Sequence, residues 1–157
     1  MEKKTKERPI SKAKSEVGKN RQQLYAHVMA QYKKAMDEQF YIEAVALMDS
    51  IVCDRLESLA ANLTENEPKF VNKNLDFLLR EIPTDLIPEK IKPTLEELKE
   101  WKDNRNIAIH EIAKLQSDAL DKDFQAKYKE NKAIAETGKK LFRKLDNEIR
   151  KYRRNKQ

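Results

Sequence analysis

Apolar residues recur along this chain at intervals of three and four, the spacing that lines one face of an α-helix. Leu24, Val28, Tyr32 and Met36 mark a first helix over about 20–38. Val45, Met48, Val52, Leu56, Leu59 and Leu63 form the broadest apolar face and predict a second over 40–63. Phe70, Leu75, Leu78 and Leu79 predict a shorter helix over 68–80. Pro83 and Pro88 then prevent continuation, so Ile82 to Pro88 reads as a loop. Thr94 follows Pro93 and precedes Glu97 by three residues, the capping-box pattern that opens a helix. Leu95, Leu98, Trp101, Ala108, Ile109, Ile112 and Leu115 carry that helix to 118. Phe124, Tyr128, Ala135, Gly138, Phe142, Leu145 and Ile149 keep helical spacing to about 153, and Gly138 in that stripe signals close packing or a break. No alternating β-branched run of strand length occurs, and no internal repeat. The pattern predicts an all-α protein, an up-and-down bundle of four to five helices.

Two charges interrupt these stripes. At about 100° per residue, Arg105 falls near the middle of the apolar arc of its helix. Asp49 falls inside the apolar face of the 40–63 helix, whereas Glu43, Ser50, Asp54 and Glu57 lie opposite it. An unmatched charge facing a core costs several kcal/mol, so each is the natural partner of the other. The pattern therefore predicts an Asp49–Arg105 ion pair between two antiparallel helices. The purely structural alternative is an arginine whose stem lies along the core while its head reaches water.

Asn106 and His110 stand about 100° and 140° round from Arg105 and are i,i+4 neighbours. Histidine can give and take protons near neutrality, and the planar guanidinium fork matches a phosphate. Metal-free cleavage of RNA needs both, one group to move the 2′-hydroxyl proton and a fixed cation for the crowded phosphate. Ile107 lies further round, flanked by Glu111 and Lys114, as an exposed aliphatic beside that face. His27, beside the first stripe, reads as a structural or surface residue.

An Arg, a polar residue, three further positions and a His, on a late helix of a small all-helical domain, resemble the HEPN superfamily. The aromatic and Glu-Ala stretch from Phe40 to Asp49 is similar to the opening of the first long core helix of such domains. The resemblance covers roughly residues 22–150, about one domain of ordinary size. It implies a helical bundle and a metal-independent endoribonuclease, acting as a toxin or phage-defence effector. Arg105, Asn106 and His110 would be the catalytic residues, with Asp49 and Glu43 in support. It also implies a homodimer whose two motifs face one cleft, and an antitoxin or other defence-system protein as partner. Some members keep the fold without catalysis, so a non-catalytic adaptor or RNA-binding subunit remains the alternative. Outside the family, a helical scaffold whose basic tail docks on RNA or an acidic partner fits as well.

Composition narrows the field. The 157 residues include two Gly and five Pro, with 38% charged and 39% hydrophobic, which favours helices throughout. Cys53 is the only cysteine, so no intrachain disulfide forms, which fits a reducing cytoplasm. The first residues are charged and do not read as a signal peptide, and no apolar run has membrane-spanning length. Two His and one Cys, far apart, offer no zinc site, and two glycines build no phosphate loop. No metal or cofactor is expected.

The net charge of +6 is unevenly distributed. Residues 1–21 carry +5 and residues 138–157 carry +7, which leaves −6 for residues 22–137. Residues 1–20 therefore read as a basic, disordered segment, 21–153 as one helical domain and 154–157 as a basic tail. Lys139, Lys140, Arg143, Lys144, Arg150, Lys151, Arg153 and Arg154 make the outer side of the last helix basic. Such a surface supplies sequence-independent affinity for RNA, although basic ends also serve simply as solubilising tails.

Overall fold

A computed structural model describes residues 16–110 and 120–156, with side chains described over 18–110 and 124–156. Every regular element among these residues is helical: α1 (Glu16–Asp37), α2 (Tyr41–Thr64), α3 (Glu67–Phe70), α4 (Leu75–Glu81), α5 (Lys92–His110) and α6 (Leu120–Asn155). The all-α bundle expected from the periodicity is present. Its four long helices are joined by two short ones.

The contacts fix how the long helices run. Tyr41 packs on Tyr128, Arg55 pairs with Asp146, and Ser58 receives Arg153, so α2 and α6 lie side by side and parallel. Thr94 donates to Glu148, Lys144 pairs with Glu97, and the Trp101 indole donates to the Ile134 carbonyl. Those contacts make α5 antiparallel to α6 and hence to α2. Tyr25 donates to Asp54 while Arg21, a turn earlier, reaches both Asp54 and Ser58, a turn later on α2, so α1 runs antiparallel to α2. Asp54 and Asp49 stand about 140° apart on α2, so α1 and α5 flank the central pair on different sides.

The core is apolar and continuous, with Met48, Leu56, Leu59, Leu98, Trp101, Leu145 and Ile149 almost fully enclosed. Gly138 is what lets Trp101 in. A methyl group on its backbone would sit 2.6 Å from the Trp101 Cζ2 atom and 3.1 Å from the Met48 Cβ atom. Between α4 and α5 the proline loop is not merely a connection, because Ile82, Ile87 and Ile91 are all buried and close the core on that side.

Several local expectations change. The predicted 68–80 helix is two helices. Asn72 takes φ 56° and Asn74 caps α4 by accepting from the Phe77 N–H at 2.9 Å, so two asparagines break the segment. Thr94 does not cap α5, which already begins at Lys92. The Thr94 hydroxyl is buried and donates to Glu148 at 2.7 Å, and Glu97 pairs with Lys144 instead of closing a capping box. In α1, Leu24 is 51% exposed while Tyr25 faces inward, because the tyrosine combines an apolar ring with a hydroxyl that reaches Asp54 at 2.6 Å. The helix also starts at Glu16, within the segment read as disordered, and Arg21 holds that end against Asp54 at 2.7 Å. The remainder of the basic N-terminal segment, 1–15, lies outside the described residues. So do Glu111, Ile112, Lys114, Leu115 and the end of the motif helix expected at 118.

Candidate functional site

α5 places Arg105 between the buried Trp101 and Ala108 of its own apolar stripe, and α2 brings Asp49 across to meet it. The guanidinium Nε lies 3.0 Å from Asp49 Oδ1, with the side chains 11% and 25% exposed. The N–H does not point along that contact, so the pair is electrostatic rather than a well-aligned hydrogen bond. Burial raises the Asp49 pKa, and the neighbouring Arg105 pulls it back only in part. Asp49 sits at the edge of the α2 core face rather than within it, since the buried arc extends the other way to Ile51 and Arg55.

The other motif residues follow along α5. Arg105 Nη1 donates to Asn106 Oδ1 at 2.6 Å, which turns the half-buried amide towards the guanidinium. His110 is exposed at the last described turn of the helix and has no polar partner among the described residues. Ile107 is 48% exposed and lies between Asn106 and His110 in the order of the chain, on the outward side. The result is a cation anchored from below, an amide beside it, and an imidazole presented to solvent about one and a half turns on.

Glu43 does not join this site. It is exposed and lines a groove between α1 and α2 with Lys34, Phe40 and Leu47, because it stands about 120° from Asp49 on α2. Glu43 thus stands apart from Arg105, whereas Asp49 contacts it directly.

Cys53 follows Asp49 by one turn and is mostly enclosed. Burial and the Asp49 carboxylate push its thiol up to about 12, against a smaller downward pull from Arg105. The thiolate is the reactive form, and a thiol so shifted is about a thousandfold less ionised at neutral pH than a free one. Labelling of the folded protein with an aromatic disulfide reagent should accordingly run at least about a hundredfold slower than labelling in denaturant. Equal rates would show that this part of α2 opens readily.

The basic residues of α6 form an arc. Taking Lys139 as origin, Arg150, Arg143, Arg154, Lys140, Lys151 and Lys144 fall within about 140° on one side, away from the buried Phe142, Leu145 and Ile149. Lys139 lies over the Tyr32 ring, Lys144 is engaged by Glu97 and Arg150 by Asp146 at 2.8 Å. Arg153 departs from the expected set. It falls about 40° on the other side of Lys139, at the border of the core arc, and turns inward to donate to the Ser58 carbonyl and hydroxyl.

One pair was not anticipated. Arg55 is 5% exposed and pairs with Asp146 at 2.9 Å between α2 and α6, with Arg150 on the second oxygen of the same carboxylate. The arc that singles out Asp49 would have found Arg55 too, as it lies about 20° from Met48 on α2.

No grouping of residues able to hold a metal ion occurs among the described residues, and no helix described is long and apolar enough to cross a membrane. No protein-family model, curated protein or solved structure matches this chain.

Proposed function

We propose that this protein is a metal-independent endoribonuclease of the HEPN type, working as a homodimer in the cytoplasm. The observation that carries the reading is the anchoring of Arg105. A guanidinium in a core stripe, held by Asp49 and bonded to Asn106, is a fixed cation on a rigid helix, which phosphate recognition requires. His110 supplies the proton-transfer group, about 140° round the same helix on its solvent side.

The reaction is an internal transfer. The 2′-oxygen attacks the adjacent phosphorus, the bond to the 5′-oxygen breaks, and the products are a 2′,3′-cyclic phosphate and a free 5′-hydroxyl. One proton leaves the 2′-hydroxyl and one must reach the 5′-oxygen. A single imidazole cannot occupy both places, so His110 of one protomer takes the first proton and the partner subunit's His110 delivers the second. Arg105 neutralises the phosphate in transit. Ile107, exposed beside the histidine, suits the two-fold contact that would bring the motifs together.

The basic arc of α6, without Arg153, then serves as the strand-holding surface. Each backbone contact adds about 0.7 to the slope of log affinity against log salt for single strands. In this reading the restraint of the enzyme falls to an antitoxin or another defence-system protein.

The test is cleavage of single-stranded or loop RNA by the purified dimer in excess EDTA. Cut ends should carry a 2′,3′-cyclic phosphate, and a single 2′-deoxy substitution at the cut site should block cleavage there. A requirement for added magnesium would sink the mechanism. Binding of RNA by a well-folded dimer without cleavage would instead favour a non-catalytic RNA-binding subunit.

A further inference from the structure

Towards the end of α2 remote from Asp49, the bundle gathers several guanidinium groups, one of which has no ion-pair partner among the described residues. Four guanidinium groups, those of Arg21, Arg55, Arg150 and Arg153, meet there across α1, α2 and α6. Two carboxylates take three of them in ion pairs. Asp54 is taken by Arg21 and by the Tyr25 hydroxyl, and Asp146 is taken by Arg55 and Arg150. Arg153 is left over. It has no ion-pair partner among the described residues, only the carbonyl and hydroxyl of Ser58 at 3.1 and 2.7 Å, and its Nε is buried with no hydrogen-bond acceptor. Burial, then the proximity of Arg55 and Arg21, lower its pKa.

A half-buried cation without a counter-charge is costly, and a bound anion is one way to offset that cost. The surroundings of Arg153 have room for it. A cleft of about 740 Å³ opens beside the side chain, and Arg21, Ser58, Arg153 and Lys156 are among the residues that line it. Glu57, Glu65 and Glu67 line the same cleft, with Glu57 close enough to Arg21 to feel its charge. Glu57 is half-occupied, accepting from the Lys73 backbone N–H at 3.2 Å, while Glu65 and Glu67 are exposed.

We propose that this cleft binds a small phosphate monoester whose body carries an ammonium or other hydrogen-bond donor. Arg153 offers Nη1, the amino group that Ser58 does not engage, to one phosphate oxygen, the Ser58 hydroxyl donates to a second, and Lys156 closes on the third. The glutamates that line the same cleft receive the donor end of the ligand. They also decide against a nucleic-acid strand, since a second and third phosphate would be driven onto three carboxylates. The site lies on the other end of α2 from Arg105 and does not depend on the nuclease reading.

Isothermal titration of the full chain with inorganic phosphate, phosphoethanolamine, glycerol phosphate and acetate, all at one ionic strength, tests the proposal. Phosphate is expected to bind saturably with one site per chain, and phosphoethanolamine more tightly than glycerol phosphate because its ammonium meets the glutamates. Acetate should give no saturable heat. Arg153→Gln should weaken phosphate binding by at least about tenfold, and Lys156→Gln by less. Asn62→Glu, an exposed change on the same cleft, adds a carboxylate without touching Arg153 and should also weaken binding, so the case does not hang on one variant folding. His110→Ala should bind like the parent. Absence of saturable binding, equal binding of acetate, or unchanged affinity in both Arg153→Gln and Asn62→Glu overturns the proposal. Displacement of phosphoethanolamine by single-stranded RNA from the parent but not from the Asn62→Glu variant would overturn it too, in favour of a strand-binding groove.

Discussion

Replacing Gly138 with leucine is expected to cost more than about 3 kcal/mol and to leave the chain largely unfolded at modest temperature. The first atom of any side chain there would lie 2.6 Å from the Trp101 ring. That ring cannot step aside, because it is 2% exposed and its indole N–H is bonded to the Ile134 carbonyl at 2.8 Å. Met48 blocks the other direction. Even alanine should destabilise. Its better helix propensity returns about 1 kcal/mol, against an overpacking cost of about 1–3 kcal/mol in a core without slack. For a domain of this size each kcal/mol moves the melting temperature by about 2–4 °C, which circular dichroism resolves easily. A Gly138→Ala protein melting above the parent would show that α6 can shift away from α5.

The second large effect separates chemistry from stability. His110→Ala should lower RNA cleavage by about 10²–10⁴-fold, the usual worth of a positioned proton-transfer group, without moving the melting temperature. The side chain is exposed and holds nothing else in place among the described residues. Asp49→Ala should do the reverse in order of cause. It leaves Arg105 without its counter-charge, at about 2 kcal/mol once partial exposure of the pair is allowed for. Activity should then fall because the guanidinium is no longer held. Changing both partners, Asp49→Ala with Arg105→Met, should recover much of the stability and none of the cleavage. A His110→Ala protein with full activity would remove the histidine from the mechanism, whatever the behaviour of Asp49.

The contrast between these residues also explains what could be read from the sequence. Asp49 and Arg105 were legible because a charge on an apolar arc violates a local pattern, and the violation is visible within one helix at a time. Their meeting follows from a single further assumption, that the two helices are neighbours. Arg55 breaks the pattern of α2 in the same way, but its partner Asp146 lies on a helix far along the chain whose own stripe does not single it out. Thr94 misled because a threonine three residues before a glutamate is the same string whether it caps a helix or reaches into one; only the neighbouring α6, with Glu148 and Lys144, decides. Tyr25 was passed over for Leu24 because hydropathy ranks leucine higher, whereas the interface with α2 offered Asp54 to a hydroxyl. The surplus cation at Arg153 was beyond reach, since it depends on counting partners across three helices.

The parallel pairing of α2 with α6 has a consequence for how the chain is made. Ser58 and Arg153 are bonded although 95 residues separate them. At about 5–20 residues per second, the broadest apolar face in the molecule waits roughly 5–20 s for its cover while the ribosome works through α3, α4 and α5. During that interval α1 and α5 can shield only its flanks. A nascent chain of this kind is a natural client for a chaperone, and its yield in a cell should depend on the speed of translation between α2 and α6 more than on the stability of the finished bundle.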